Sequence, residues 1–179
     1  MLHLLLFIIF VTAFNYKIMK ELSIETRIKV YSLEELCEKD RELVSEAIAA
    51  THRSYAPYSK FTVGASARLA NGSIVTGSNQ ENAAYPSGLC AERTTLFYAN
   101  SQYPDQAVTA LAVASRHMDE ASIREHVCPP CGACRQVMLE TENRFGCPMK
   151  ILLCGSNQVY VIESASCLLP LSFGSELLK

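Results

Sequence analysis

The sequence has no run of lysines or arginines and no tract in which arginines alternate with aromatic residues. A protein that tracks a nucleic-acid backbone needs such a surface to displace counterions from phosphates. Its absence, with a formal net charge of −2, points to a small or neutral substrate and to no nucleic-acid partner. No internal repeat, low-complexity tract or linker divides the chain. At 179 residues it is long enough to bury a core of its own. Hydrophobic residues make up 49% and charged residues 19%, a globular balance. No apolar run is long enough to cross a bilayer, which takes roughly 20 residues in a helix. The longest, Leu4 to Phe14, is interrupted by Thr12.

That run sets residues 1–18 apart as an apolar extension. No Lys or Arg precedes it and no good small-x-small cleavage site follows, so it makes a poor signal peptide. Met19-Lys20-Glu21 then opens an ordinary polar sequence. The reading that fits best is a start at Met19, with residues 19–179 forming one domain without a membrane segment. A weak signal peptide and a genuine extension are the alternatives.

Eight cysteines raise the question of a disulfide framework. Three of them fall in Cys128-Pro129-Pro130-Cys131-Gly132-Ala133-Cys134, which is the tight spacing of metal ligands. A chain of this length does not need covalent staples. The compartment is therefore read as reducing and cytoplasmic, with Cys37, Cys147, Cys154 and Cys167 as small buried hydrophobes.

Periodicity places the motifs on elements. Ser32 and Glu35 make a capping box. Leu36, Leu43, Val44, Ala47 and Ile48 then recur at helical spacing to about Ser54, and Pro57 ends the helix. Phe61 to Leu69 reads as a strand, Asn71-Gly72 as a two-residue hairpin turn, and Ser73 to Gly77 as the partner strand. A polar stretch leads into a helix from about Leu89 to Ala99. Val108 to Ser115 reads as a buried strand. After Pro129-Pro130 comes a helix from about Cys131 to Glu142, then short strands at Lys150–Cys154 and Val159–Ile162. A hairpin followed by alternating helices and strands is an α/β sandwich with a mixed sheet.

Cys90-Ala91-Glu92-Arg93 and Pro130-Cys131-Gly132-Ala133-Cys134-Arg135-Gln136 both fall at helix starts. A helix N-terminus carries partial positive charge and unpaired N–H donors, which stabilise the thiolates a metal requires. Cys90, Cys131 and Cys134 offer three ligands, and a catalytic zinc needs three plus an open position. Glu92 lies about 160° from Cys90 on an ideal helix. It is thus read as the acid–base group beside the metal rather than as a ligand. Three thiolates around Zn²⁺ leave a net negative centre. Arg93, in the first cysteine motif, and Arg135, directly after Cys134, are read as its electrostatic counterweights. A structural zinc closed by Cys128 or His126 is the main rival, and it leaves Glu92 unexplained. A ferredoxin-type site lacks its fourth cysteine followed by Pro. A zinc-stabilised interaction module would show no open coordination site.

A Cys with a nearby Glu, followed by Pro-Cys-x-x-Cys, is a known signature of zinc nucleobase deaminases. Here the chain resembles the small, single-domain cytidine deaminases. The likeness runs from about Val44 to Phe173. It includes Tyr55-Ala56-Pro57-Tyr58-Ser59-Lys60-Phe61-Thr62-Val63-Gly64-Ala65, Asn79-Gln80-Glu81-Asn82-Ala83-Ala84-Tyr85-Pro86 and Leu169-Pro170-Leu171-Ser172-Phe173-Gly174 as well as the two cysteine motifs. The resemblance implies a three-layer α/β/α sandwich around a mixed five-stranded sheet. It implies hydrolytic deamination of cytidine and deoxycytidine, and a homotetramer whose subunits complete each other's pockets. It assigns zinc to Cys90, Cys131 and Cys134 and proton transfer to Glu92. Asn79 and Glu81 would take the ribose hydroxyls, and Ala91 the base edge. Phe61 would pack on the base with a neighbour's Phe173, and Tyr85 would approach a neighbour's sugar. A deaminase for a cytosine-bearing antibiotic would share the zinc motif. A polynucleotide-editing deaminase more often carries His at the first ligand position.

Overall fold

The computed structural model describes residues 20–178; residues 1–18, the apolar extension, lie outside them. Six strands form one mixed sheet: β1 (Lys29–Tyr31), β2 (Phe61–Leu69), β3 (Ile74–Ser78), β4 (Val108–His117), β5 (Lys150–Cys154) and β6 (Val159–Ile162). Their order is β1-β6-β5-β4-β2-β3. Only β4 and β5 run parallel. The long helices are α1 (Glu38–Ala50), α2 (Ala91–Gln102) and α3 (Gly132–Phe145).

Strand alternation explains the layering. In β4, Leu111 and Val113 face the cluster that holds Leu96 of α2 and Met138 of α3. Ala110, Ala112 and Ala114 of the same strand face Leu43, Val44 and Ala47 of α1. Successive side chains on a strand point to opposite faces. One helix therefore covers one face and two helices the other, which is the expected three-layer sandwich. The sheet has one strand more than expected, because Lys29 to Tyr31 pairs antiparallel with Val161 to Val159 along the edge of β6.

Two glycines set how close the helices come. A Cβ on Gly64 would lie 2.2 Å from the Ala47 carbonyl oxygen, so α1 lies directly on β2. A Cβ on Gly77 would lie 2.6 Å from the Thr95 hydroxyl and 2.9 Å from its backbone nitrogen, so α2 lies on β3 in the same way. Each approach excludes even a methyl group.

Several element boundaries differ from the sequence reading for local reasons. Glu35 does reach back to the Ser32 amide, at 2.7 Å. That contact closes a turn ahead of α1, and the helix itself starts after an N-cap at Cys37. The hairpin between β2 and β3 is a β-turn in which the Gly72 amide bonds the Leu69 carbonyl at 2.9 Å, and the Leu69 amide then bonds the Ser73 carbonyl at 2.8 Å. The connection is thus longer than two residues. Gly72, at φ 88°, supplies the left-handed position the turn requires. The metal-motif helices begin two residues and one residue later than the sequence reading places them, at Ala91 and Gly132.

Gly64→Ala is expected to lower folding stability by about 1–3 kcal/mol, the usual cost of overpacking a close contact. Chemical denaturation reads this as a lower midpoint at unchanged slope. An unchanged midpoint would mean that α1 can move outward freely.

Candidate active site

Cys90 is the N-cap residue of α2 and Cys131 that of α3, both in extended backbone conformation, with Cys134 in the first turn of α3. α2 and α3 pack side by side on the same face of the sheet, so their N-termini meet. Cys90 Sγ lies 3.8 Å from Cys131 Sγ, and Cys131 Sγ lies 3.4 Å from Cys134 Sγ. All three sulfurs fall within 4.8 Å of one another. For a tetrahedral zinc with Zn–S near 2.3 Å, sulfurs sit about 3.8 Å apart. The three cysteines therefore fit a zinc ion by spacing and by donor type. Cys128 and His126, considered as a fourth ligand, are not part of this cluster.

The protein alone already favours charge at this point. The Cys134 thiol, and after it Arg93 and Cys131, hydrogen-bond the Cys90 sulfur and hold its pKa at about 5. Cys134 is pushed up in turn by its bond to Cys90 and by burial. Arg93 Nη2 stands 4.0 Å from Cys90 Sγ, and Arg93 Nε is buried without a partner among the described residues. Arg135 is directed elsewhere: its Nε donates to the Pro130 carbonyl at 2.9 Å and its Nη1 to the Leu168 carbonyl at 3.0 Å.

Glu92 is 4% exposed and lies at the wall of a cleft of about 430 Å³ that it shares with Cys90 and Cys131. The separation of about 160° does not apply, because Cys90 has extended rather than helical backbone angles. Glu92 thus faces the same cleft as the sulfurs. Burial, reinforced by the charge on Cys90, raises its carboxyl above the ordinary range. A carboxyl held above its ordinary range keeps a proton more readily, which suits a group that takes and returns one.

The rest of the cleft is lined by Phe61, Asn79, Glu81, Tyr85 and Cys128, among others. Its volume falls in the range of small-molecule sites, about 300–1,000 Å³. Asn79 is fixed by β2: its Nδ2 donates to the Phe61 carbonyl at 2.9 Å and its Oδ1 accepts from the Val63 amide at 2.8 Å. An amide can form four hydrogen bonds, so one N–H and one lone pair remain for a ligand. Glu81 Oε2 accepts from the amides of Tyr58 and Ser59, at 2.9 and 3.3 Å. The Ser59 hydroxyl and these amides hold the Glu81 carboxyl below its ordinary range. Sequence reasoning missed this seat because backbone donors leave no trace in residue identity. It also missed Arg124, whose guanidinium lies 5.9 Å from the centre of the Phe61 ring. Ala91 is fully buried at the start of α2. Tyr85 is 82% exposed at the rim. Phe173 is 58% exposed and does not line this cleft.

Residues 37–145 match the model of the cytidine and deoxycytidylate deaminase zinc-binding region. The chain belongs to this family. Among curated relatives, a cytidine deaminase of Halalkalibacterium halodurans is 45% identical over 102 residues, which are 56% of this chain and 71% of that protein. A cytidine deaminase of Mycobacterium tuberculosis is 40% identical over 98 residues, 55% of this chain and 68% of that protein. The crystal structure of cytidine deaminase from Burkholderia pseudomallei superposes with a TM-score of 0.63 at 38% identity, covering 74% of this chain and 97% of that one. The likeness to solved members of the family extends across the layered sheet as well as the zinc-binding region.

Metal analysis of variants separates the ligand set from its neighbours. Cys131→Ser is expected to lose zinc. Cys128→Ser is expected to keep a full complement of it. Zinc loss from Cys128→Ser would place Cys128 in the coordination sphere and close the open position.

Proposed function

We propose that this protein catalyses the hydrolytic deamination of cytidine and deoxycytidine to uridine and deoxyuridine, with release of ammonia, in pyrimidine salvage. One observation carries the reading: a buried carboxylate, Glu92, opens into the cleft lined by Cys90 and Cys131, whose sulfurs converge with that of Cys134, and is not part of that cluster. A structural metal site has no use for such a group.

Cys90, Cys131 and Cys134 would hold the zinc. When bound, zinc lowers the pKa of a water molecule toward neutrality and so supplies the nucleophile. Glu92 accepts the proton this water gives up and delivers it to N3 of the cytosine ring. It then takes the proton of the hydroxyl group added at C4 and passes it to the amine, so that the C4 carbonyl forms as the amine leaves as ammonia. Arg93, beside the Cys90 sulfur, offsets the excess negative charge of a trithiolate centre, and Arg135, whose guanidinium is bonded to the Pro130 and Leu168 carbonyls, adds only the field of its charge from the first turn of α3. The backbone at Ala91 serves the polar edge of the base. Asn79 and Glu81, held in place by β2 and by the Tyr58 and Ser59 amides, take the ribose hydroxyls. Phe61 packs on the base.

The same reading assigns a homotetramer, with Phe173 completing the pocket of a neighbouring subunit and Tyr85 approaching a neighbour's sugar. Support comes from the exposure of Phe173 outside its own chain's cleft, and from Phe97 and Tyr98 of α2, which are 47% and 52% exposed. A small nucleoside is the partner that fits the cleft. Among the described residues no helix is long and apolar enough to cross a membrane. A reducing cytoplasm suits three ligand thiols that must stay unoxidised.

The test is the fall in ultraviolet absorbance of cytidine with purified zinc-loaded protein. Wild type is expected to turn over, and a strong chelator to abolish the signal. Glu92→Gln is expected to keep its zinc and lose at least about 10²-fold in kcat, the lower end of acid–base contributions. Retained turnover in that variant would remove Glu92 from the mechanism.

A further inference from the structure

Three side chains of α3 hold the C-terminal tail at successive points. Near the end of the helix, Glu142 accepts from the Ala165 amide at 2.8 Å, the Ser164 hydroxyl at 2.9 Å and the Ser166 amide at 3.3 Å. This fixes the short turn over Ala165–Leu168. Arg135 bonds the Leu168 carbonyl, where the tail leaves that turn, and also the Pro130 carbonyl beside the ligand Cys131. Gln136 then donates from Nε2 to the Phe173 carbonyl at 2.9 Å.

Between the Leu168 and Phe173 carbonyls the tail has little packing. Leu171 is 85% exposed and takes a left-handed conformation, φ 52°, which disfavours a branched side chain. Phe173 itself is 58% exposed. A segment with so few apolar contacts opens easily unless hydrogen bonds hold it. Among the described residues, the Gln136 amide is the side-chain group that bonds the Phe173 backbone. It stands on the same rigid helix as Cys134, two residues further on.

We propose that Gln136 is a positioning residue for Phe173. By holding the Phe173 carbonyl it presents the aromatic ring at a fixed place, so that the ring meets the base already ordered. This rests on the assignment of Phe173 to base packing made above. Without the bond, the ring must be immobilised when the nucleoside binds, and that ordering weakens binding. The effect belongs in KM, because ordering the ring is a cost of binding and not of the chemical step.

Gln136→Leu removes the donor while keeping the side chain's bulk, at a bond near the surface where the fold should tolerate the change. In the zinc-loaded variant, amide hydrogen exchange over residues 171–174 is expected to accelerate, with zinc content and melting temperature unchanged. KM for cytidine is expected to rise about 3- to 10-fold, the effect of losing one net hydrogen bond, with kcat within about twofold. Phe173→Ala should raise KM on its own, and adding Gln136→Leu to it should raise KM no further, because the two act through one ring. Unchanged exchange, faster exchange with unchanged KM, or two KM effects that multiply would each overturn the proposal. If wild type fails to deaminate cytidine, the reading of the site falls and the positioning role with it. That failure is visible in the wild type alone, whereas a failure of this proposal appears only in the variants.

Discussion

Two helices begin side by side, and the residues that cap them, Cys90 and Cys131, bring their sulfurs to 3.8 Å. Everything chemical in this protein follows from that meeting. The partial positive charges of two N-termini fall on one cluster, where they favour thiolates over thiols. Cys134 joins from the first turn of α3. The extended backbone at the capping position turns Cys90 off the helical spiral, so that Glu92 and Cys90 face the same cleft although they are only two residues apart.

The sheet is what keeps the helix starts together. Its face toward α2 and α3 carries larger residues such as Leu69, Leu111, Val113 and Ile151. Its other face is lined by alanines under α1. Gly77 lets α2 sit against β3 closely enough for its N-terminus to register with that of α3. The same strands supply the cleft wall: β2 brings Phe61, and the chain just past β3 brings Asn79, which bonds back to Phe61 and Val63. One β hairpin therefore builds one wall of the cleft, and two helix starts build the wall that carries the cysteine cluster.

Much of this was legible in the chain itself. The spacing of Cys131 and Cys134, the Cys90-Ala91-Glu92 step and the proline break ahead of α3 each carry a chemical meaning that survives without coordinates. The strands from Lys150 to Cys154 and from Val159 to Ile162 were read with their observed limits, because turn residues bracket short apolar runs. Less legible were features that depend on backbone groups distant in sequence. The strand at Lys29–Tyr31 exists because β6 offers it an edge, and a three-residue segment has too little pattern to announce that. The seat of Glu81 on the Tyr58 and Ser59 amides is silent for the same reason. Arg135 sits beside a ligand in sequence, yet its guanidinium reaches two carbonyls, one of them 33 residues away. Adjacency in sequence gave its neighbourhood but not its partner.

The central claim is that three sulfurs hold the metal and a fourth position stays open beside Glu92. X-ray absorption at the zinc edge of the loaded protein tests it most directly. The expected spectrum is fitted by three sulfur scatterers near 2.3 Å and one lighter atom. A site fitted by four sulfurs would contradict the account, since a closed sphere leaves Glu92 nothing to act on.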